Sequence, residues 1–366
     1  MNNLSNLSST FSQPLLRWFE KNGRKDLPWK HPAHDPYRIW ISEIMLQQTQ
    51  VKSVIPFFER FIKKFPSLEL LAQSSEEEIL TLWAGLGYYS RARNLHRTAQ
   101  ILWHEYRGIW PQEHNRLSTL PGIGESTAAA ITAQAFHQAT PILDANVKRV
   151  LSRYFMVDGA PAKSSVVKTL WQLAHSCMPQ QRCADYTQAI MDLGATCCTT
   201  KNPQCARCPV QAHCQAWAHQ CVDQFPKKIK RNPISTRSQH FIIITHESAG
   251  IYLEKRASSG IWGGLWCLPA FDSKADIPSY LQENFQILVS SDTLNPFMQM
   301  QHTFTHFHLQ LQVWQITVNQ TLQTSPHQTT RGDWFTHQSI CNIGLPKPIQ
   351  TITQSYFERS LPPSCL

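Results

Sequence analysis

The chain of 366 residues is 42% hydrophobic, holds twelve tryptophans and carries 34 Lys+Arg against 25 Asp+Glu, a net charge of +9; that is enough apolar material for more than one core. No apolar run approaches the length that crosses a bilayer, the first ten residues lack the basic and apolar regions of a targeting segment, and eleven cysteines is an odd count for a secreted disulfide framework, so a cytoplasmic globular protein is expected. The charge is lopsided: residues 1–236 carry 27 Lys+Arg against 17 Asp+Glu, whereas residues 237–366 carry 7 against 8, and a basic first part suits a polyanion such as nucleic acid.

Helical periodicity dominates the first part. Asp35-Pro36 reads as an N-cap followed by proline at the first helical position, opening a helix from Tyr37 to about Gln47. Val51, Val54, Ile55, Phe58, Phe61, Ile62 and Phe65 recur at spacings of three and four and mark a second helix. Ser74 and Ser75, each with glutamate three residues on, announce a third near 76–83. Between Leu120 and Thr127 the chain reads Leu-Pro-Gly-Ile-Gly-Glu-Ser-Thr, a turn opening onto an Ala-rich helix. Two glycines there let the backbone reach φ > 0 and let a phosphate come close, while the free amides of the next helix offer a positive end to an anion. Asp144 precedes Ala145-Asn-Val-Lys-Arg-Val-Leu151 and sits where an N-cap belongs, with helix amides expected to hold it ionised. Helices continue to about residue 195.

Cys198-x6-Cys205-x2-Cys208-x5-Cys214 places four thiols in seventeen residues, a spacing that suits one metal centre, either tetrahedral zinc or an iron–sulfur cluster. The other cysteines, Cys365 among them, are read as non-ligands. A proline-punctuated basic stretch then ends the helical pattern, and from His240 the sequence favours strands at Phe241–Thr245, Gly250–Leu253 and around Leu309, Leu311 and Val313, with a polar loop at about 319–330. The resulting division is a helical region at 1–221, with turn 118–127 and cysteine loop 198–214, a linker at 222–236, and an α+β domain at 237–366.

The turn, Ile142-Leu-Asp-Ala-Asn-Val-Lys-Arg149, the four-cysteine loop and Ser42-Glu-Ile-Met-Leu-Gln-Gln-Thr-Gln50 together resemble the helix-hairpin-helix DNA glycosylases that carry a [4Fe-4S] cluster, and within them the MutY-type adenine glycosylases. Trp262-Gly-Gly-Leu-Trp-Cys-Leu-Pro269 and His302-Thr-Phe-Thr-His-Phe-His308 extend the resemblance to the family's C-terminal domain. The fold it implies is multidomain: an all-α helix-hairpin-helix core with an iron–sulfur loop and a C-terminal α+β Nudix-like domain. The implied activity is base excision repair, hydrolysis of the glycosidic bond of adenine paired with 8-oxoguanine or guanine in double-stranded DNA, by a monomer.

Breaking a sugar–base bond develops positive charge on the sugar and negative charge on the leaving purine, so two carboxyl groups of different pKa can serve both ends. By the resemblance these are Glu43, kept protonated among Trp40, Ile41, Ile44, Met45 and Leu46 to act as general acid, and Asp144, anionic beneath the sugar. Ser126 stands where glycosylases that also cut the backbone carry an amine nucleophile, which implies a monofunctional enzyme and argues against the alternative, an endonuclease III-like glycosylase/lyase for oxidised pyrimidines. The cluster ligands implied are Cys198, Cys205, Cys208 and Cys214. DNA contacts fall to Gly122, Gly124, Gln48 and Tyr88, the adenine pocket to Arg24, Trp29, Lys30 and Gln188, and examination of the opposite base to Phe304-Thr305-His306. Many family members have tyrosine at Ser126, a basic residue at Glu125 and serine at Thr305. No glutamate-rich magnesium signature follows Gly260, so nucleotide hydrolysis by the second domain is not expected.

Overall fold

The computed structural model describes residues 7–227, 233–318 and 332–360; the expected loop at 319–330, Cys365 and part of the expected linker lie outside them. The chain divides into two compact units, one of residues 1–73 and 94–231, the other of residues 74–93 and 232–366.

The helical unit opens with α1 (Gln13–Asn22), α2 (Pro36–Leu46), α3 (Val51–Lys64) and α4 (Leu68–Gln73); α5 (Glu76–Trp83) belongs to the second unit. It continues with α6 (Ser90–His104), α7 (His114–Leu117), α8 (Glu125–Phe136), α9 (Ala145–Tyr154), α10 (Ser164–Cys177), α11 (Cys183–Asp192) and α12 (Gln215–Ala218). The capping signals explain where these begin. Asp35 accepts from the Tyr37 amide at 2.9 Å with Pro36 in the first turn, and Ser75 and Glu78 close a reciprocal capping box on α5. Val54, Phe58 and Phe61 form the buried stripe of α3. α8 is small-residue and buried on several sides, with Ala128, Ala129, Ala130 and Ala133 nearly inaccessible, which lets α2 and α11 approach it closely. The core then joins Phe11 and Leu15 near the start of the chain to Leu143, Val147 and Leu151 of the α9 region and to Ala189 and Leu193 around α11.

The second unit is built on a seven-stranded sheet of β1 (Ser235–His246), β2 (Gly250–Lys255), β3 (Trp266–Cys267), β4 (Ala270–Phe271), β5 (Asn295–Thr303), β6 (Phe307–Val318) and β7 (Gly332–Phe335). The main order is β3-β2-β1-β6-β5, with β4 on β1 and β7 on β2. β1 runs parallel to β6 from Ser235 opposite Phe307 to His246 opposite Val318, whereas β5 and β6 form an antiparallel hairpin that closes at Thr303 opposite His308. Residues 304–306 are therefore the hairpin's turn. α13 (Asp276–Phe285) lays Ile277 and Leu281 on Ile242 and Ile244 of β1; α14 (His337–Ile340) and α15 (Lys347–Ser360) complete the unit. No helix among the described residues is long and apolar enough to cross a membrane.

Candidate active site and cysteine loop

Glu43 projects from α2 toward α8, where the Gln134 amide donates to its Oε1 at 3.3 Å. Its helix neighbours Trp40, Ile41, Ile44 and Met45 are all buried, and loss of solvation raises the carboxyl from 4.5 to about 7; the Gln134 hydrogen bond opposes that rise and the charge of Asp144 adds to it. Glu43 keeps an edge on an open cleft of about 1200 Å³. The same cleft is lined by Gln48, Gly122, Gly124, Ser126 and Asp144, so residues scattered over a hundred positions of sequence meet at one surface.

Asp144 is the N-cap of α9, accepting from the Val147 amide at 2.7 Å and from the Asn146 side-chain amide at 3.2 Å. Burial nonetheless raises its pKa, the hydrogen bonds and the positive charge of Arg149 pulling the other way. The helix amides expected to hold it ionised are in place, and they work against a desolvation that the sequence does not display. Ser126 points its hydroxyl oxygen at the Leu143 amide at 3.2 Å and so pins the chain one residue before Asp144. A polar line leads away from Asp144. The Arg149 guanidinium donates to Asn146 Oδ1 at 2.8 Å, to the Gly194 carbonyl at 2.7 Å and to the Cys198 carbonyl at 2.7 Å. A Cβ at Gly194 would lie 2.6 Å from the Asn146 Cβ. Gly194→Ala is therefore expected to displace Asn146 and cut the single-turnover rate about tenfold while leaving the chain folded, as rapid-quench kinetics beside circular dichroism would show.

Of the four residues assigned to a base pocket, only Arg24 lines this cleft. Its guanidinium is locked to Asp192, whose side chain is fully buried, at 2.6 Å, and its own amide donates to the same carboxylate at 2.8 Å. Gln188 donates to Asp192 at 2.8 Å as well. Trp29, Lys30 and Gln188 instead line a neighbouring cavity of about 130 Å³ with His34 and Gln134. Trp29 stands edge-on to Phe58, and Lys30 donates to the Arg24 carbonyl at 2.9 Å, its ammonium lowered in pKa chiefly by burial. Gln134 lines this second cavity and also bonds Glu43, which couples the two hollows.

The glycine turn is only partly as expected. Gly122 has φ +78 and a Cβ there would press on Asn94 at 2.9 Å, but Gly124 is extended at φ −86 and caps α8. Its value is the open space around its α-carbon, through which a phosphate can reach the α8 amides. Gln48, exposed with φ +58, sits at the rim. In the second unit Tyr88, also exposed and at φ +51, bonds through its hydroxyl to Thr305 Oγ1 at 3.0 Å, so two residues 217 positions apart share one surface. Phe304, next to Thr305 in the chain, packs edge-on with His302, and His306 is exposed at the turn.

Cys198, Cys205, Cys208 and Cys214 all line one hollow walled by Val150, Tyr154, Leu193 and Val210. Among the described residues no three His, Cys, Asp or Glu side chains converge tightly enough for a single metal ion; the thiols ring a space instead. Arg153 donates to Cys198 Sγ at 3.3 Å, a hydrogen bond suited to a thiolate. Cys197, next in sequence, lines the same hollow and donates its thiol to the Gln204 carbonyl.

Residues 41–176 match the HhH-GPD superfamily of base excision DNA repair proteins, and residues 240–355 match the NUDIX domain. An adenine DNA glycosylase of Buchnera aphidicola is 37% identical over 94% of this chain and 97% of its own length. The chain belongs to the adenine DNA glycosylase family. The human adenine DNA glycosylase is 32% identical over 98% of this chain and 76% of its own. Among solved structures, a thermostable thymine-DNA glycosylase superposes with a TM-score of 0.53 at 29% identity, covering 59% of this chain and 98% of that one. Endonuclease III in a non-covalent DNA complex shares the fold at a TM-score of 0.50 over 60% of this chain and 99% of that one. For an adenine glycosylase family member, sequence reading missed Gln134, Asn146, Arg149 and Asp192 as supports of the cleft. Asn146 and Arg149 could have been found from their i,i+3 spacing just after Asp144. Asp192 lies 168 residues from Arg24 and leaves no local trace.

Proposed function

We infer that this protein hydrolyses the N-glycosidic bond of adenine paired with 8-oxoguanine or guanine in duplex DNA and leaves an abasic site. The observation that carries the reading is the carboxyl of Glu43, buried enough to stay protonated near neutrality and opening on the same cleft as Asp144. The adenine is swung out of the duplex, at a cost of a few kcal/mol that Gln48 and Tyr88 offset by filling the stack. Glu43 gives its proton to a ring nitrogen as the sugar–base bond breaks and its electron pair leaves with the purine. Asp144, present as the carboxylate, holds the positive charge that develops on the sugar as an ion pair or a transient ester. Water then adds to the sugar carbon, and the Glu43 carboxylate takes its proton, which restores the starting state. Ser126, a hydroxyl engaged with the Leu143 amide, offers no amine to form a Schiff base.

Gly122, Gly124 and the α8 amides hold the phosphate backbone without reading sequence, while Phe304, Thr305 and His306 examine the base opposite adenine. Arg24, Trp29, Lys30 and Gln188 shape the room for the extruded base. Cys198, Cys205, Cys208 and Cys214 fit a [4Fe-4S] cluster, four thiols ringing one apolar-walled hollow with an Arg153 N–H on a sulfur. When bound, such a cluster supplies four metal–thiolate bonds that fold the loop. Iron and sulfide analysis of the purified protein is expected to find about four of each per chain, and zinc in their stead would refute the assignment. The chain is read as a cytoplasmic monomer acting on DNA, with a helical region at 1–221, a linker at 222–236 and a mismatch-recognition domain at 237–366. Incubation with duplexes carrying adenine opposite 8-oxoguanine, guanine or thymine, followed by alkali, tests the whole reading. Cleavage is expected opposite the first two only, and strand nicking before alkali would favour the glycosylase/lyase alternative.

A further inference from the structure

We propose that Trp262 is a positioning residue for inspection of the opposite base: its indole is the floor on which the turn 304–306 is set. The proposal rests on the reading that this turn examines that base. Trp262 is buried, 6% exposed, yet its backbone is left-handed at φ +57. A bulky residue adopts that region only where its surroundings over-determine it, and such outliers gather where geometry serves function.

The surroundings here do so from both sides. Gly260 at φ +85 and Gly264 at φ +80 flank it, and Gly263 passes so near the Ser258 carbonyl that a Cβ would lie 2.4 Å from its oxygen. The Gly264 amide is shared between the carbonyls of Arg256 and Ala257, both at 3.2 Å, and the Arg256 amide returns to the Leu265 carbonyl at 2.9 Å. Arg93 donates to the Gly263 carbonyl at 2.7 Å. With its backbone fixed, the indole meets Phe304 at a centroid distance of 5.7 Å, His302 at 6.0 Å and Phe241 in the first strand at 6.4 Å. Phe304 is then boxed in: His302 stands edge-on at 4.7 Å, Phe307 stacks at 4.7 Å, and its own amide donates to the Phe307 carbonyl at 2.9 Å. The next residue is Thr305, whose hydroxyl reaches Tyr88. The indole thus supports the Phe304 ring, tilted at 43° to it, and through Phe304 the position of Thr305 in the turn. A side chain without a ring at 262 would leave Phe304 unsupported and let the whole turn sink.

The test uses the full-length protein and compares kcat/KM on adenine opposite 8-oxoguanine with that opposite guanine. Trp262→Ala is expected to lower this ratio about tenfold, while the single-turnover rate on the guanine mispair at saturating enzyme stays within about twofold. Trp262→Phe, which keeps a ring on the floor, should retain most of the ratio, a loss of about threefold or less. An unchanged ratio in Trp262→Ala, or an equal fall on both substrates in either variant, overturns the proposal. Should Trp262→Ala not fold, Trp262→Leu, which keeps bulk at the site but removes the aromatic floor, takes its place, and an unchanged ratio in that variant overturns the proposal. Phe304→Ala and Thr305→Ala, measured alongside, separate the two levels: if neither alters the ratio, the turn does not inspect the base, whereas if both do and Trp262 variants do not, only the floor is wrong.

Discussion

Glu43→Gln is expected to lower the single-turnover rate of adenine release by about a thousandfold while duplex affinity holds within about threefold. The amide keeps the volume of the side chain and the oxygen that accepts from Gln134, so what it removes is the transferable proton. The parent's rate should in turn be highest where Glu43 is protonated and fall as pH rises through about 7. Stability moves in the same sense. A carboxyl whose pKa is raised by folding contributes stability in full below its unfolded value near 4.5, and that contribution is lost as pH rises through the folded value near 7. Glu43→Gln deletes the penalty, so relative to the parent it gains nothing below pH 4.5 and up to about 3 kcal/mol above pH 7. Thermal melts at pH 4 and pH 8.5, set beside rapid-quench rates, check both halves. A dead variant that is also less stable at pH 8.5 would mean that the residue holds the fold and does not donate the proton.

Asp144→Asn should also cost about a thousandfold or more, for a different reason. Asparagine still caps α9, because its carbonyl can accept from the Val147 amide as Asp144 does at 2.7 Å. The new amide faces the Asn146 amide, and Asn146 is already committed through its oxygen to Arg149, so a stability loss of about 1 kcal/mol is expected from that encounter. The charge under the sugar is gone. Because binding precedes charge development, KM for the 8-oxoguanine duplex should hardly change while kcat collapses. A uniform loss in KM with kcat kept would assign Asp144 to DNA binding instead.

Local signals were legible in proportion to how local their physics is. The Asp35 and Asp144 caps and the Ser75/Glu78 box are each satisfied within three residues, and each helix starts where those residues say. Strand alternation at Leu309, Leu311 and Val313 marked the inner face of β6 because all three are buried. Protonation was harder to read. Apolar neighbours on α2 announced the rise at Glu43, but the desolvation of Asp144 comes from tertiary packing that capping chemistry does not reveal. The Gly-x-Gly spacing announced the turn but not which glycine is left-handed: Gly122 is, and Gly124 is extended. Joining residues 74–93 to the second unit has no sequence signature, since it rests on long-range links such as Glu77 to Trp266 and Arg93 to Gly263.

The helical unit is closed by its own ends. Ser12 donates to the Cys177 carbonyl, Arg24 is clasped by Asp192, and α1 packs on α11. The residues that hold α1 in place are therefore supplied from more than 160 positions further along the chain. The unit is thus latched across its sequence, and a substitution at Asp192 is expected to loosen Arg24 and the start of the chain although neither lies near it in sequence.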